Sequence, residues 1–126
     1  MWICLNEAFI SIVRKREPEL ARACGFPANT PGLVVRARRR QDLEYLRARY
    51  APGLVIVDRP GHDYPVGTML RADTVAQMLA DAVHDIDYRN FKDSVVDDRL
   101  HDAYARVWGV MLAIEDPEVP VGQLAL

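Results

Sequence analysis

The chain has 126 residues, is half hydrophobic and 27% charged, and carries a net charge of −2, the profile of one globular domain with enough apolar material for a core. Its apolar runs are too short to span a membrane, and the opening Met1-Trp2-Ile3-Cys4-Leu5-Asn6-Glu7 lacks the basic stretch and apolar core of a secretory signal, so a cytoplasmic protein is expected. The charge is uneven: residues 1–50 hold ten Lys/Arg against five Asp/Glu, and residues 51–126 hold six against thirteen, which fits either a basic binding face or two halves that complement each other when folded.

Trp2–Leu5 and Ala8–Val13 read as strands, rich in Ile, Phe and Val, with Asn6-Glu7 as the turn or bulge between them. Glu17 to Gly32 contains Pro18, Pro27 and Pro31 and reads as a loop with one helical turn at Glu19–Ala23. Leu33–Arg38 alternates, with Leu33, Val35 and Ala37 on one face and Arg36 and Arg38 on the other. Gln41–Tyr50 is a short helix stopped by Pro52-Gly53, Leu54–Val57 a buried strand, Pro60–Asp63 a turn, and Tyr64–Leu70 a strand whose Pro65 places its start at a sheet edge. Asp73 is the expected N-cap of a helix with Val75, Met78, Leu79, Ala82, Val83 and Ile86 on its buried face. A further helix follows Asp97-Asp98, with Leu100, Ala103, Tyr104, Val107, Trp108 and Met111 at the same spacing and Tyr104, Trp108 and Met111 expected in the core. This order predicts an α+β fold: a two-layer sandwich with a mostly antiparallel sheet of about five strands and about three helices. Residues 1–114 form the domain and 115–126 a C-terminal tail. Cys4, in an apolar strand, is expected to be a small core residue, and Cys24, in the proline-rich loop, an exposed thiol; both are expected to be reduced.

Several segments together carry a resemblance: Trp2, Phe9-Ile10-Ser11-Ile12-Val13, Val35-Arg36-Ala37-Arg38, Asp42-Leu43-Glu44, Ile86 to Lys92, and His101 to Met111. They resemble a family of small uncharacterised bacterial and phage-associated proteins whose closing motifs are of the type IDYxNFK and HDxYxxVWxVM. The resemblance spans nearly the whole chain and implies no activity. The chain departs from it in the longer loop Glu17–Gly32, and insertions on rigid scaffolds often carry specificity.

Four kinds of chemistry compete. Asp97, Asp98, His101 and Asp102 lie within a turn and a half of helix and offer oxygen and imidazole ligands, but aspartates at a helix start also cap free amides; no metal or cofactor is expected. The two serines, Ser11 and Ser94, sit in no glycine-flanked elbow, and a set of Ser94, His101 and Asp102 has no geometry behind it, so catalytic residues are not assigned. A small hydrolase around His101 and Asp102 stays open as an alternative. Arg36, Arg38, Arg39, Arg40 and Arg47 form a basic patch that would reach phosphates, although no aromatic residues interleave with them and the pI is about 5.9. In the closing block, Asp87, Asn90, Lys92, His101 and Asp102 are the candidate binding residues, against a reading in which Asn90 bonds backbone and Phe91 plugs a gap between helices. The expectation is a non-enzymatic protein-interaction module, in its more pointed form an accessory or inhibitor protein of a phage or mobile element. A protein partner is expected, nucleic acid is the alternative, a homodimer is allowed and no membrane is involved.

Overall fold

A computed structural model describes residues 1–117. The alternating apolar segments pair into one antiparallel sheet: β1 (Trp2–Cys4), β2 (Phe9–Lys15), β3 (Gly32–Ala37), β4 (Val57–Asp58) and β5 (Val66–Leu70), in the order β1-β2-β3-β5-β4. The helices are α1 (Pro18–Ala23), α2 (Arg40–Arg49), α3 (Ala72–His84), α4 (Phe91–Ser94) and α5 (Asp98–Met111), the last running on into a 3-10 turn at Leu112–Ile114. The α+β class and the antiparallel five-stranded sheet are as expected, and α1 and the short α4 add to the three anticipated helices.

Register decides which side chains share a face. Ile12, Val35 and Thr68 stand in one row, with Ala37 and Val66 in the next. Leu43 and Leu46 of α2 and Val75 and Met78 of α3 close over this face and form the largest core cluster. Such aliphatic side chains each contribute about 1.5–3 kcal/mol when fully buried. The opposite face is covered in part. Leu20 and Ala21 of α1 pack on Val34 and Met69 at one end, and Leu100 and Tyr104 of α5, with Val95, pack on Phe9 at the other.

The middle of that second face is polar. Arg36 donates to Ser11 Oγ at 3.1 Å, and the guanidinium groups of Arg36 and Arg38 each lie 4.4 Å from the centre of the buried Tyr64 ring. Arg59 crosses Gly67 and donates to both Glu17 oxygens at 2.5 and 2.6 Å. A Cβ on Gly67 would stand 3.0 Å from Arg59 Cδ, so the missing side chain is what lets Arg59 lie flat on the strand. Gly67→Ala is expected to push Arg59 off Glu17 and to cost about 1–3 kcal/mol in urea unfolding, as overpacking does; an unchanged midpoint would show that Arg59 shifts freely.

Four local expectations are corrected. Leu54–Val57 is not a buried strand: only Val57 and Asp58 pair, at the sheet edge, while Leu54 reaches the core from an irregular segment and Val55 is exposed. Asp73 lies in the first turn of α3, where its charge favours the helix dipole, and the N-cap position belongs to Arg71. The thiols exchange roles. Cys4 is exposed on edge strand β1, whereas Cys24 is half-buried and its Sγ accepts from the Met69 N–H at 3.3 Å. The short β4 pairs only with Val66 and Gly67, so Cys24 serves a backbone donor further along β5 that β4 leaves open. Finally, Trp108 and Met111 are exposed rather than in the core, and so are Val83 and Ile86 at the end of the α3 stripe. The expected tail lies outside the described residues from residue 118 onward.

Candidate functional site

Four of the five arginines of the basic patch are engaged within the molecule. Arg38 donates to Asp63 Oδ1 at 3.0 Å and to its carbonyl at 2.8 Å. Arg39 holds Asp42 at 2.6 Å and Asp97 at 3.2 Å, and Arg40 holds Asp58 at 3.0 Å and Glu44 at 3.3 Å. Arg36 is engaged by Ser11 and Tyr64. Arg47 alone of the five stands exposed on α2 with no ion pair among the described residues. Arg49 likewise pairs with Asp85 at 3.1 Å. Each of Asp63, Asp97, Asp58 and Asp85 comes from the acidic part of the chain, so part of the charge asymmetry is met by internal complementarity.

The closing block is dispersed in the same way. Asn90 Oδ1 accepts the Lys92 N–H at 2.9 Å and caps α4. Phe91 fills the space between α4 and α5, with its ring 5.5 Å from that of Tyr104. The Lys92 ammonium sits 4.3 Å over the Trp108 ring. Asp102 pairs with Arg106 along α5 at 3.2 Å, His101 is exposed beside it, and Asp87 is exposed in the connector before α4. Asp97 caps α5 by accepting the Leu100 N–H at 2.9 Å, and this bond, with help from Arg39, holds its carboxyl below the usual value. These five candidates therefore do not converge on one point. Among the described residues no three His, Cys, Asp or Glu side chains gather as a metal site.

What does converge is apolar. Trp2, Cys4 and Phe9 from the β1 edge face Leu100, Ala103, Tyr104 and Val107 of α5 across a groove of about 260 Å³. Arg38, Arg39, Arg99 and Asp42 form its polar rim. Phe9 is wedged edge-on between Trp2 at 5.7 Å and Tyr104 at 6.5 Å, which fixes one wall. Tyr104 is fixed in turn by its hydroxyl, which donates to the carbonyls of Leu5 and Ala8 at 2.8 and 2.9 Å.

Beyond Tyr104 the helix runs clear of the sheet. Residues 103–114 read Ala-Tyr-Ala-Arg-Val-Trp-Gly-Val-Met-Leu-Ala-Ile, with Arg106 the one charged residue. A helix apolar all round is ordinarily buried. Here Trp108 is 54% exposed, Val110 72% and Ile114 75%, and Trp2 across the groove is 65% exposed. Scattered exposed hydrophobics are normal on a surface, but a continuous run of them marks a contact site. Its signal was present in the sequence as the near absence of charge from 103 to 114; the 3.6-residue stripe drew attention instead to one face, assumed covered. No helix among the described residues is long and apolar enough to cross a membrane. No protein-family model, curated protein or solved structure matches this chain.

Proposed function

We propose that this chain is a non-enzymatic protein-interaction module that binds through the projecting half of α5 and the groove beside it. The observation that carries this reading is the apolar run from Ala103 to Ile114, which continues past the sheet and, among the described residues, leaves Val107 partly and Val110 and Ile114 largely exposed. Aromatic and aliphatic side chains set around a partly formed pocket are the usual anchors of protein interfaces. The ion pairs that occupy Arg38, Arg39 and Arg40 weigh against the nucleic-acid alternative. The exposure of His101 and Asp102 on α5, with Asp102 paired to Arg106, weighs against the hydrolase alternative. The resemblance to phage-associated proteins extends the reading to an accessory or inhibitor protein of a mobile element, with a host defence complex as its partner.

The test is photo-cross-linking of the full chain from a reactive phenylalanine at Val110. A discrete protein adduct is expected. Trp108→Glu with Met111→Glu should reduce it at least about tenfold, since loss of interface anchors costs roughly 2 kcal/mol or more each, with the far-ultraviolet circular dichroism unchanged because both side chains are already exposed. An adduct that survives both substitutions, or cross-linking to nucleic acid alone, refutes the proposal.

A further inference from the structure

Resting on that reading, we infer that the surface is occupied by a second copy of this chain, with the two α5 helices packed antiparallel. Leu100, Ala103, Val107, Val110 and Ile114 follow one another at intervals of three, four, three and four residues. That is the a/d repeat of a two-helix seam, and it is apolar at every position. The seam is divided between two environments. Leu100, Ala103 and Val107 line the groove. Val110 and Ile114 project beyond it, about three-quarters exposed. Among the described residues, one half is therefore an unfilled receptacle and the other an uncovered ridge. A two-fold axis near the middle of the seam sets the ridge of each copy into the receptacle of the other, as an isologous interface requires.

Charge supports this occupant. The projecting end of the helix leads directly into Glu115, which is exposed. Of the arginines at the receptacle, Arg38 is held by Asp63 and Arg39 by Asp42 and Asp97, which leaves Arg99 to meet an incoming carboxylate. Arg99 makes no ion pair within the described residues. The antiparallel arrangement carries Glu115 of one copy toward Arg99 of the other, whereas a parallel one would place like ends together. Trp2, exposed on the far wall of the groove, closes over the incoming ridge.

Sedimentation velocity of the full chain decides the matter. The wild type is expected at twice its 14.3 kDa mass, dissociating on dilution over about a hundredfold range. Val110→Glu with Ile114→Glu should give the monomer with unaltered circular dichroism, since both positions are exposed in the single chain. Arg99→Glu should weaken the dimer about tenfold, and added salt should weaken the wild type in the same direction. A wild type that is monomeric throughout, or a dimer that persists in the Val110→Glu/Ile114→Glu chain, overturns the inference. The two proposals fail separately. A monomeric chain that still loses its adduct to a different protein when Trp108 and Met111 are replaced removes only the second copy. If the adduct is indifferent to those replacements, the interaction reading itself is removed.

Discussion

Arg39→Met is expected to cost about 3–5 kcal/mol of stability, the penalty for removing one partner of a buried ion pair. The loss arises at Asp42, whose side chain is 2% exposed and whose Oδ1 accepts from Arg39 Nε at 3.1 Å and Nη2 at 2.6 Å. Without Arg39, that carboxylate sits in the core with its cation gone. The same guanidinium also reaches Asp97, the N-cap of α5, so its removal loosens the join between α2 and α5 as well. If the cost is that of the stranded charge, Arg39→Met with Asp42→Leu should recover most of it. Additive losses would instead place the energy in the Arg39–Asp97 contact.

The pH dependence separates the two contributions. Burial pushes the Asp42 carboxyl up, and Arg39 partly opposes this. A carboxyl raised on folding favours the folded state when protonated, so its contribution is full below the unfolded value of about 3.9 and is lost as pH rises through the folded value. Removing Arg39 enlarges that rise. The deficit of Arg39→Met relative to wild type should therefore shrink as pH falls from neutral toward 4. Asp97 acts in a lower window: its carboxyl is lowered on folding, so its contribution is present above the unfolded value and is lost only as pH falls below that toward the folded one, and its share of the deficit stays nearly constant from neutral to 4. Denaturant midpoints of both proteins across this range make the comparison. A deficit independent of pH would remove Asp42 from the explanation.

The sheet was legible because its strands obey a period of two. In β3 and the residue after it, Val35 and Ala37 alternate with Arg36 and Arg38, with the two apolar side chains buried and the two arginines on the other face. Leu54–Val57 defeated the same reasoning because a short apolar run carries no period, and core residues are supplied by irregular segments as well as by strands; Leu54 is one of these. Helix α5 was legible as a helix from Asp97 and its stripe, but periodicity reports only that a face is apolar. It does not report how far the sheet beneath extends. The sheet ends near Phe9, so the stripe is core at Leu100 and Tyr104 and surface at Val107, Trp108 and Met111. For the polar candidates, the deciding information was the partner. Asn90 could be read as a backbone cap from its position before Phe91, whereas the ties from Arg38 to Asp63 and from Arg39 to Asp97 join residues far apart in sequence.

Tyr104 is the second position from which a large effect is expected, because it joins the projecting helix to the domain. Its ring lies 5.5 Å from Phe91 and 6.5 Å from Phe9, and its hydroxyl donates to two carbonyls in the turn between β1 and β2. Burial raises that hydroxyl above its ordinary value, so it remains a donor throughout the neutral range. Tyr104→Phe keeps the ring and removes the donor, which strands the Leu5 carbonyl while the Ala8 carbonyl keeps the Leu5 N–H, and should cost about 1–3 kcal/mol. Tyr104→Ala also empties the space between Phe9 and Phe91 and should cost about 3–5 kcal/mol. The two variants differ in where the loss appears. α5 is held to the sheet chiefly through Leu100 and Tyr104, so in Tyr104→Ala its amides should exchange by local opening while β2, β3 and β5 keep their protection. Tyr104→Phe should lower protection of α5 and of the Asn6–Glu7 turn together. Equal loss of protection in α5 and the central strands would mean that helix and sheet unfold as one unit, and that the projecting surface is as rigid as the core beneath it. If the helix opens by itself, binding must order it, and affinity for any partner should fall in Tyr104→Ala even though the exposed side chains of the interface are untouched.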